Sequence, residues 1–306
     1  MSQRIGVLMG GMSSERTISL KSGHAVAEAL RSRGHDVVEV DVGPDLPEKL
    51  RAHQIDVAWI ALHGAFGEDG CVQGLLEVMR IPYTGSGVQA SAAAMDKIMT
   101  KRLLVGSGVQ LPGDHVWRPG QPVPDVALPV VVKTPEGGST IGIYMCDTQA
   151  ALEEALRACQ QWGEAVLIEQ KITGEEITVA VLSGRALPVV SIRPREGFFD
   201  FEAKYTKGQT DYLVPSPLPE HITKNAQEQA VIAYQTLGLR GISRADFIVD
   251  AAGIPWFLEI NTIPGMTATS LSPMSAGAQG ISFADLVEEL LHGATLQRTV
   301  SLQEQT

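Results

Sequence analysis

Arg244-Ala-Asp-Phe-Ile-Val-Asp250 and Trp256-Phe-Leu-Glu-Ile-Asn261 are two apolar runs flanking Ala251-Ala-Gly-Ile-Pro255, and they read as the arms of a β-hairpin. Strand residues alternate between faces. Arg244 and Asp246 therefore share one face of the first arm, and Glu259 and Asn261 share one face of the second. A turn of about four residues sets Asp246 opposite Glu259 and merges the two polar faces. A three-residue turn puts them out of phase unless a bulge restores the register. In phase, two carboxylates, an amide oxygen and a guanidinium lie between apolar neighbours. Buried like charges a few ångströms apart are unfavourable unless a cation joins them. Oxygen donors without Cys or His suit Mg²⁺, which also takes ligands from substrate phosphates. The competing reading is an edge hairpin whose charges face water, and the apolar flanks of both arms argue against it.

Working outward, the 306-residue chain has room for two or three domains. It is 44% apolar and 19% charged, an ordinary globular composition. Its 24 Lys+Arg against 35 Asp+Glu give a net charge of −11, which argues against a nucleic-acid partner held by electrostatics. Cys71, Cys146 and Cys159 are scattered, with no CxxC, and suit a reducing cytosol better than a disulfide framework or a zinc site. The sequence starts straight into a strand, and no apolar run approaches a membrane span, so a cytoplasmic protein without membrane contact is expected.

From the start, Ile5–Met9, Val37–Asp41 and Val57–Leu62 read as strands alternating with helices over about 14–33 and 46–52, which predicts a parallel sheet with ligand loops at the carboxyl ends of its strands. Ile81–Thr84 reads as a fourth strand. The dinucleotide fingerprint and the Walker A sequence are missing, but Gly10-Gly11 at a helix start remains a nest of N–H groups suited to an anion. Glu15 follows in the first helical turn. His63-Gly-Ala-Phe-Gly-Glu-Asp-Gly70 is a glycine-rich loop that places His63 and Glu68 near the same sheet edge as Glu15. Lys97 opens a helix. Five prolines between Leu111 and Pro129 mark a crossing between domains. Beyond it, a strand at 128–133 ends in Lys133, Glu136-Gly-Gly-Ser-Thr140 is a tight loop, and 141–146 is the return strand. A lysine beside such a loop can cover phosphates without a P-loop. A helix near 148–162 and strands at 165–170, 173–181 and 187–192 follow. The long polar and aromatic segment 197–219, with Lys204 and Tyr205, reads as a lid or binding loop. A helix over 220–237 leads into the hairpin, and Ser282-Phe-Ala-Asp285 is a capping box for a last helix ending before Gly293.

The order Gly-Gly-x-Ser-x-Glu15, His63-Gly…Glu-Asp-Gly70, Met95-Asp-Lys97, Lys133 before Gly-Gly-Ser139, Glu169, Lys204-Tyr205, Arg244-Ala-Asp246, Glu259-Ile-Asn261 and Pro264-Gly-Met-Thr267 closely resembles the D-alanine–D-alanine ligases of the ATP-grasp superfamily, over about residues 4–292. The sequence departs from the commoner family pattern at Thr134, Gln170, Ile263 and Ala268-Thr269.

The resemblance implies an α/β N-terminal parallel-sheet domain of the pre-ATP-grasp, Rossmann-like kind over 1–95. Two α+β ATP-grasp lobes with antiparallel sheets follow over 96–180 and 181–306. It implies ligation of two D-alanine molecules with ATP through a D-alanyl phosphate, for peptidoglycan precursors. Lys97 and Lys133 would contact ATP phosphates under the Gly137-Gly138-Ser139 loop. Glu169 and the Ile172 backbone would hold adenine, Glu176 the ribose, and Phe247 and Leu258 the ring faces. Asp246, Glu259 and Asn261 would carry two Mg²⁺ or Mn²⁺ ions, with Lys204 beside the phosphates. Glu15, with His63 close by, would hold the first substrate's ammonium. Arg244 and the Gly265 N–H would hold the oxyanion, and Ser270 with Leu271 the second substrate's carboxylate. Tyr205 would close the lid, with Ser139 and Glu15 hydrogen-bonding it shut. A monovalent cation such as K⁺ and a homodimer belong to the same family expectation. The enzyme alternatives are a D-alanine–D-lactate ligase, against which Tyr205 speaks, and another ATP-grasp carboxylate–amine ligase. A nucleotide-binding module without catalysis is the alternative from another class.

Overall fold

The computed structural model describes residues 3–136, 142–160, 165–194 and 210–297. Its first unit is a three-stranded parallel sheet of β1 (Arg4–Gly10), β2 (Asp36–Val42) and β3 (Val57–Ile60) in the order β2-β1-β3. The central strand is buried on both faces, as a parallel strand between helical layers must be. Ile5, Val7 and Met9 pack into one cluster, and Leu8 packs into the other with Ile60, Val72 and Leu76. Helix α1 (Arg16–Ser32) covers the first face, α2 (Leu46–Ala52) and α3 (Cys71–Met79) the second. The expected fourth strand shrinks to a single bridge at Tyr83, parallel to Ala58 and antiparallel to Thr295. Arg80 and Gly85, both at positive φ, turn the chain in and out of line on either side of it.

Two short helices, α4 (Val88–Met95) and α5 (Lys97–Leu104), meet at Asp96, whose carboxylate caps α5 by accepting from the Ile98 and Met99 N–H groups. They lead to an antiparallel four-stranded sheet, β4-β7-β5-β6, of β4 (Asp114–Trp117), β5 (Val130–Lys133), β6 (Ile143–Cys146) and β7 (Val166–Gln170), with α6 (Gln149–Cys159) on its back. The chain then crosses into a larger sheet through Gly174. A Cβ there would lie 1.9 Å from the Val249 carbonyl oxygen, so only glycine lets the two backbones approach.

The larger sheet has the order β11-β10-β8-β12-β13, with β9 (Arg185–Ala186) also on β8. Its strands are β8 (Glu175–Leu182), β10 (Val190–Pro194), β11 (Thr210–Leu213), β12 (Ile242–Val249) and β13 (Pro255–Asn261). Strand β8 runs through the 180/181 boundary drawn from the sequence. Helix α7 (Glu220–Thr236) packs its Ala226, Ala230 and Ala233 against Ile177, Val179, Phe247 and Phe257. Helices α8 (Leu271–Ala278) and α9 (Phe283–His292) return the chain to the first unit, where Leu286, Val287 and Leu290 join Val7, Val26 and Leu30. The expected capping box of α9 forms: Ser282 Oγ accepts from the Asp285 N–H at 3.2 Å.

The hairpin has the expected register, reached by a different route. Val249 pairs with Pro255, which leaves five residues in the turn and would set Asp246 against Leu258. A bulge between Asp246 and Phe247 restores Asp246 opposite Glu259 and Arg244 opposite Asn261. Phe257 and Ile260 both lie in the core beneath α7, so Leu258 and Glu259 are the doubled residues between them. Strand β13 is an edge, covered where the Phe257 N–H donates to the Gln110 carbonyl at 2.8 Å.

Candidate active site

Where the first unit meets the larger sheet lies a cleft of about 330 Å³. From the sequence-derived candidates it gathers Glu15, His63, Lys97, Arg244, Glu259, Asn261, Gly265, Ser270 and Leu271. Each arrives from a structural boundary. Glu15 stands at the N-cap of α1 without capping it by its side chain. His63 follows β3. Lys97 opens α5, and Arg244, Glu259 and Asn261 face outward on the hairpin. Gly64, at φ +71°, brings its backbone so near Glu15 that a Cβ would sit 2.8 Å from the carboxylate Oε2.

The polar face of the hairpin is electrostatically closed by the chain itself. Arg244 grips Asp246 in a two-pronged pair, Nε to Oδ1 at 2.9 Å and Nη2 to Oδ2 at 2.8 Å. Thr178 of β8, 1% exposed, donates its hydroxyl to the same Oδ1 at 2.5 Å. Lys97 Nζ lies 3.3 Å from Glu259 Oε2, and Asn261 Oδ1 accepts from the Ile263 N–H at 2.9 Å. The like-charge problem posed by two facing carboxylates is thus met by one guanidinium and one ammonium. Asp246, Glu259 and Asn261 form an oxygen-only donor set in register, which fits a hard divalent cation.

Ser270 is the N-cap of α8, and its hydroxyl is tied to Thr267, whose N–H it meets at 3.1 Å, rather than to its own helix. Ser270 and Leu271, where α8 begins, line the cleft, and a helix N-terminus is a place suited to an anion.

Farther along, Glu169 is 2% exposed and held between two ammonium groups, Lys101 at 2.5 Å and Lys133. Burial is the largest single influence and pushes its carboxyl up, but Lys133 and Lys101 together outweigh it, and the net shift is downward. Lys133 is thus paired with Glu169, not with the hairpin carboxylates. Ile172 lies on the passage from β7 to β8 and Glu176 on β8 itself, both half-buried. Glu169 also lines a second cavity of about 360 Å³ with Asp114, Leu128 and Lys171.

Phe247 has to be corrected. It is fully buried, packed edge-on against Phe257 with centroids 5.6 Å apart, in the core under α7. It stands on the strand face opposite Asp246 and has no surface to offer a ligand, whereas Leu258 is partly exposed beside Glu259. Gly137, Gly138, Ser139, Lys204 and Tyr205 lie outside the described residues. Sequence reading passed over Lys101, Thr178, Ser22 and Tyr212, the last of which lines the main cleft.

The family model described as D-ala D-ala ligase C-terminus matches residues 119–292, and the one described as D-ala D-ala ligase N-terminus matches residues 44–86. The chain belongs to the D-alanine–D-alanine ligase family. Among curated relatives, the D-alanine–D-alanine ligase of Syntrophotalea carbinolica is 48% identical over 300 residues, covering 97% of each chain. That of Geobacter sulfurreducens is 46% identical over 299 residues, covering 96% of this chain and 95% of the relative. Among solved structures, the D-alanine–D-alanine ligase of Bacillus anthracis superposes with a TM-score of 0.85 at 35% identity, and the same ligase complexed with ATP with 0.83 at 33%. Each covers 95% of this chain and 97% of the solved chain. The parallel N-terminal sheet and the two antiparallel sheets are the fold of D-alanine–D-alanine ligases, the ATP-grasp architecture expected from the sequence.

Proposed function

We propose that this chain joins two D-alanine molecules into D-alanyl-D-alanine at the expense of ATP, with a D-alanyl phosphate between the two steps. The single observation that carries the reading is the convergence of Glu15, Lys97, Arg244, Glu259, Asn261, Gly265 and Ser270 on one cleft, in a chain of this family. Glu15 holds the ammonium of the first D-alanine, aiming its carboxylate at the hairpin. A carboxylate oxygen attacks the γ-phosphorus of ATP, the bond to the bridging β-phosphate oxygen breaks, and ADP leaves. Lys97, Lys133 and Lys204 offset the repulsion between the anions that meet in this step. Glu169, Ile172, Glu176 and Leu258 serve the nucleoside.

Asp246, Glu259 and Asn261 hold two Mg²⁺ or Mn²⁺ ions, which neutralise charge on the phosphate oxygens when bound. In the second step the free amine of the other D-alanine attacks the acyl carbon, and a tetrahedral oxyanion forms between the Arg244 guanidinium and the Gly265 N–H. Asp246 keeps that guanidinium in place. Collapse breaks the carbon–oxygen bond to phosphate, the nitrogen gives up its extra proton to the departing inorganic phosphate, and the peptide is left. Ser270 and the first turn of α8 hold the carboxylate of the attacking D-alanine. Tyr205 and Ser139 close the lid over the acyl phosphate and exclude water. A cytoplasmic homodimer supplying peptidoglycan precursors, with K⁺ as activator, and the division at 95/96 complete the reading.

Phosphate release measured with ATP, Mg²⁺ and D-alanine, against L-alanine and D-lactate, tests it. D-alanine alone gives stoichiometric phosphate and dipeptide. Mainly depsipeptide product at neutral pH, or release that ignores D-alanine, refutes it.

A further inference from the structure

His63 was placed among the substrate contacts by resemblance, yet both of its ring nitrogens are already engaged. Nδ1 lies 2.9 Å from the Ile263 carbonyl and Nε2 lies 3.1 Å from Ser22 Oγ, with the residue 6% exposed. The proton positions follow from the partners. A carbonyl only accepts, so Nδ1 carries the hydrogen; burial disfavours a second ring proton, so Nε2 accepts. The Ser22 hydroxyl must then donate to Nε2, which leaves its oxygen to accept the Met266 N–H at 3.2 Å. Glu68, 7% exposed, completes the set: Oε2 accepts the Gly64 N–H at 2.7 Å, and Oε1 accepts the Ile263 N–H at 3.2 Å.

These contacts share one target. Ile263 is held by its N–H and by its carbonyl, Met266 by its N–H. The peptide carrying the Gly265 N–H lies between the pinned Ile263 carbonyl and the pinned Met266 N–H, and Pro264 fixes φ one residue before it. Ser22, His63 and Glu68 come from the N-terminal unit and the segment they hold from the other end of the chain, where Asn261 Oδ1 also accepts the Ile263 N–H at 2.9 Å.

We propose that Ser22, His63 and Glu68 are positioning residues that set the Gly265 N–H for the oxyanion, and that His63 does so as a neutral imidazole touching backbone and serine rather than substrate. The proposal rests on the reading of Gly265 as the oxyanion donor. A donor displaced by about 1 Å costs on the order of 10- to 100-fold in the chemical step while leaving a remote nucleotide site alone. The full-length protein is assayed as wild type, Ser22→Ala, His63→Ala and His63→Asn, the last keeping an N–H where Nδ1 donates. Ser22→Ala and His63→Ala are expected to lower kcat for ligation by about 10- to 100-fold with the KM for ATP within about twofold. Their affinity for a phosphinate analogue of the tetrahedral adduct, measured with ATP present, is expected to fall by the same factor, with ADP affinity unchanged. His63→Asn is expected to recover most of the His63→Ala loss.

The proposal is overturned if Ser22→Ala binds the phosphinate as tightly as wild type, if ADP affinity falls in step with kcat, or if His63→Asn is no better than His63→Ala. Should wild type itself fail to bind the phosphinate while ligating D-alanine, the oxyanion reading of Gly265 falls instead. Ser22→Ala removes one oxygen from a close-packed helix and keeps the test available if His63→Ala does not fold.

Discussion

Replacing Lys101 with methionine isolates the buried charge cluster under the proposed nucleotide site. The lysine side chain is 3% exposed, and its ammonium meets Glu169 Oε1 at 2.5 Å and the Pro112 carbonyl at 2.9 Å. Methionine fills nearly the same volume and donates nothing. Glu169 keeps Lys133, so the carboxylate is not stripped of charge, and the loss is smaller than the roughly 3–5 kcal/mol of a fully broken buried pair. A charge-assisted bond of about 1.5–3 kcal/mol disappears and the Pro112 carbonyl loses a donor, while Lys101's own burial cost is relieved. The expected net is about 2 kcal/mol at pH 7. Its pH dependence is the sharper test. Glu169's carboxyl is held below its ordinary value of 4.5 in the folded protein, so it contributes stability above that value and loses it as pH falls through the folded value. The gap between wild type and Lys101→Met is therefore full at neutral pH and closes as pH falls through the range in which Glu169 takes up its proton. Urea unfolding followed by the fluorescence of Trp117, buried on the strand next to β7, reads this unit. With Glu169 less firmly aimed, the KM for ATP should rise about tenfold while kcat stays within about threefold. A gap that is constant with pH, or no gap at all, refutes the view that Lys101 acts through the Glu169 charge.

Other perturbations follow from the same cleft. Glu259→Gln should lower ligation by at least about 100-fold, read by phosphate release, with the melting temperature nearly unchanged because the side chain is 37% exposed; ligation within tenfold of wild type refutes the metal assignment. Thr178→Val keeps the shape at Asp246 and removes its hydroxyl donor, so unfolding should cost about 1.5–3 kcal/mol less free energy, and half-saturation by Mg²⁺ should move several-fold higher. Burial, with Glu15 adding to it, pushes the Glu68 carboxyl up to about 8. Between 4.5 and about 8 the folded chain holds a proton that the unfolded chain has released, so this group's contribution falls as pH rises, by about 1.4 kcal/mol per pH unit at most. The difference in unfolding free energy between wild type and Glu68→Gln, measured from pH 5 to 8, should decline with pH; a flat difference sinks the assignment.

What the sequence made legible follows where alternation of residues coincides with a packing demand. Ile5 to Met9 could only be a doubly covered strand, and the capping residue Ser282 marks its helix start openly. The hairpin shows the limit of that reading. Its polar face was legible from period two, but the five-residue turn and the compensating bulge were not, because two errors of one residue cancel in the final register. Phe247 was misplaced against the same rule: it alternates with Asp246 and aligns with Ala245 and Val249, all three of them buried in one cluster. The family resemblance outweighed a signal the strand already carried. Lys101 and Ser22 were illegible for a different reason. A lysine beside Arg102 in the last turn of a helix has the pattern of a solvated helix end, and a serine in α1 resembles any small helical residue. Their roles arise from Glu169, 68 residues away, and from the Met266 N–H, 244 residues away, which meet them only after the sheets have packed. Buried polar groups are therefore the part of this site that tertiary structure alone discloses. Ser22 and Lys101 are satisfied by groups distant in the chain, so the same contacts that pack the cleft also aim its chemistry.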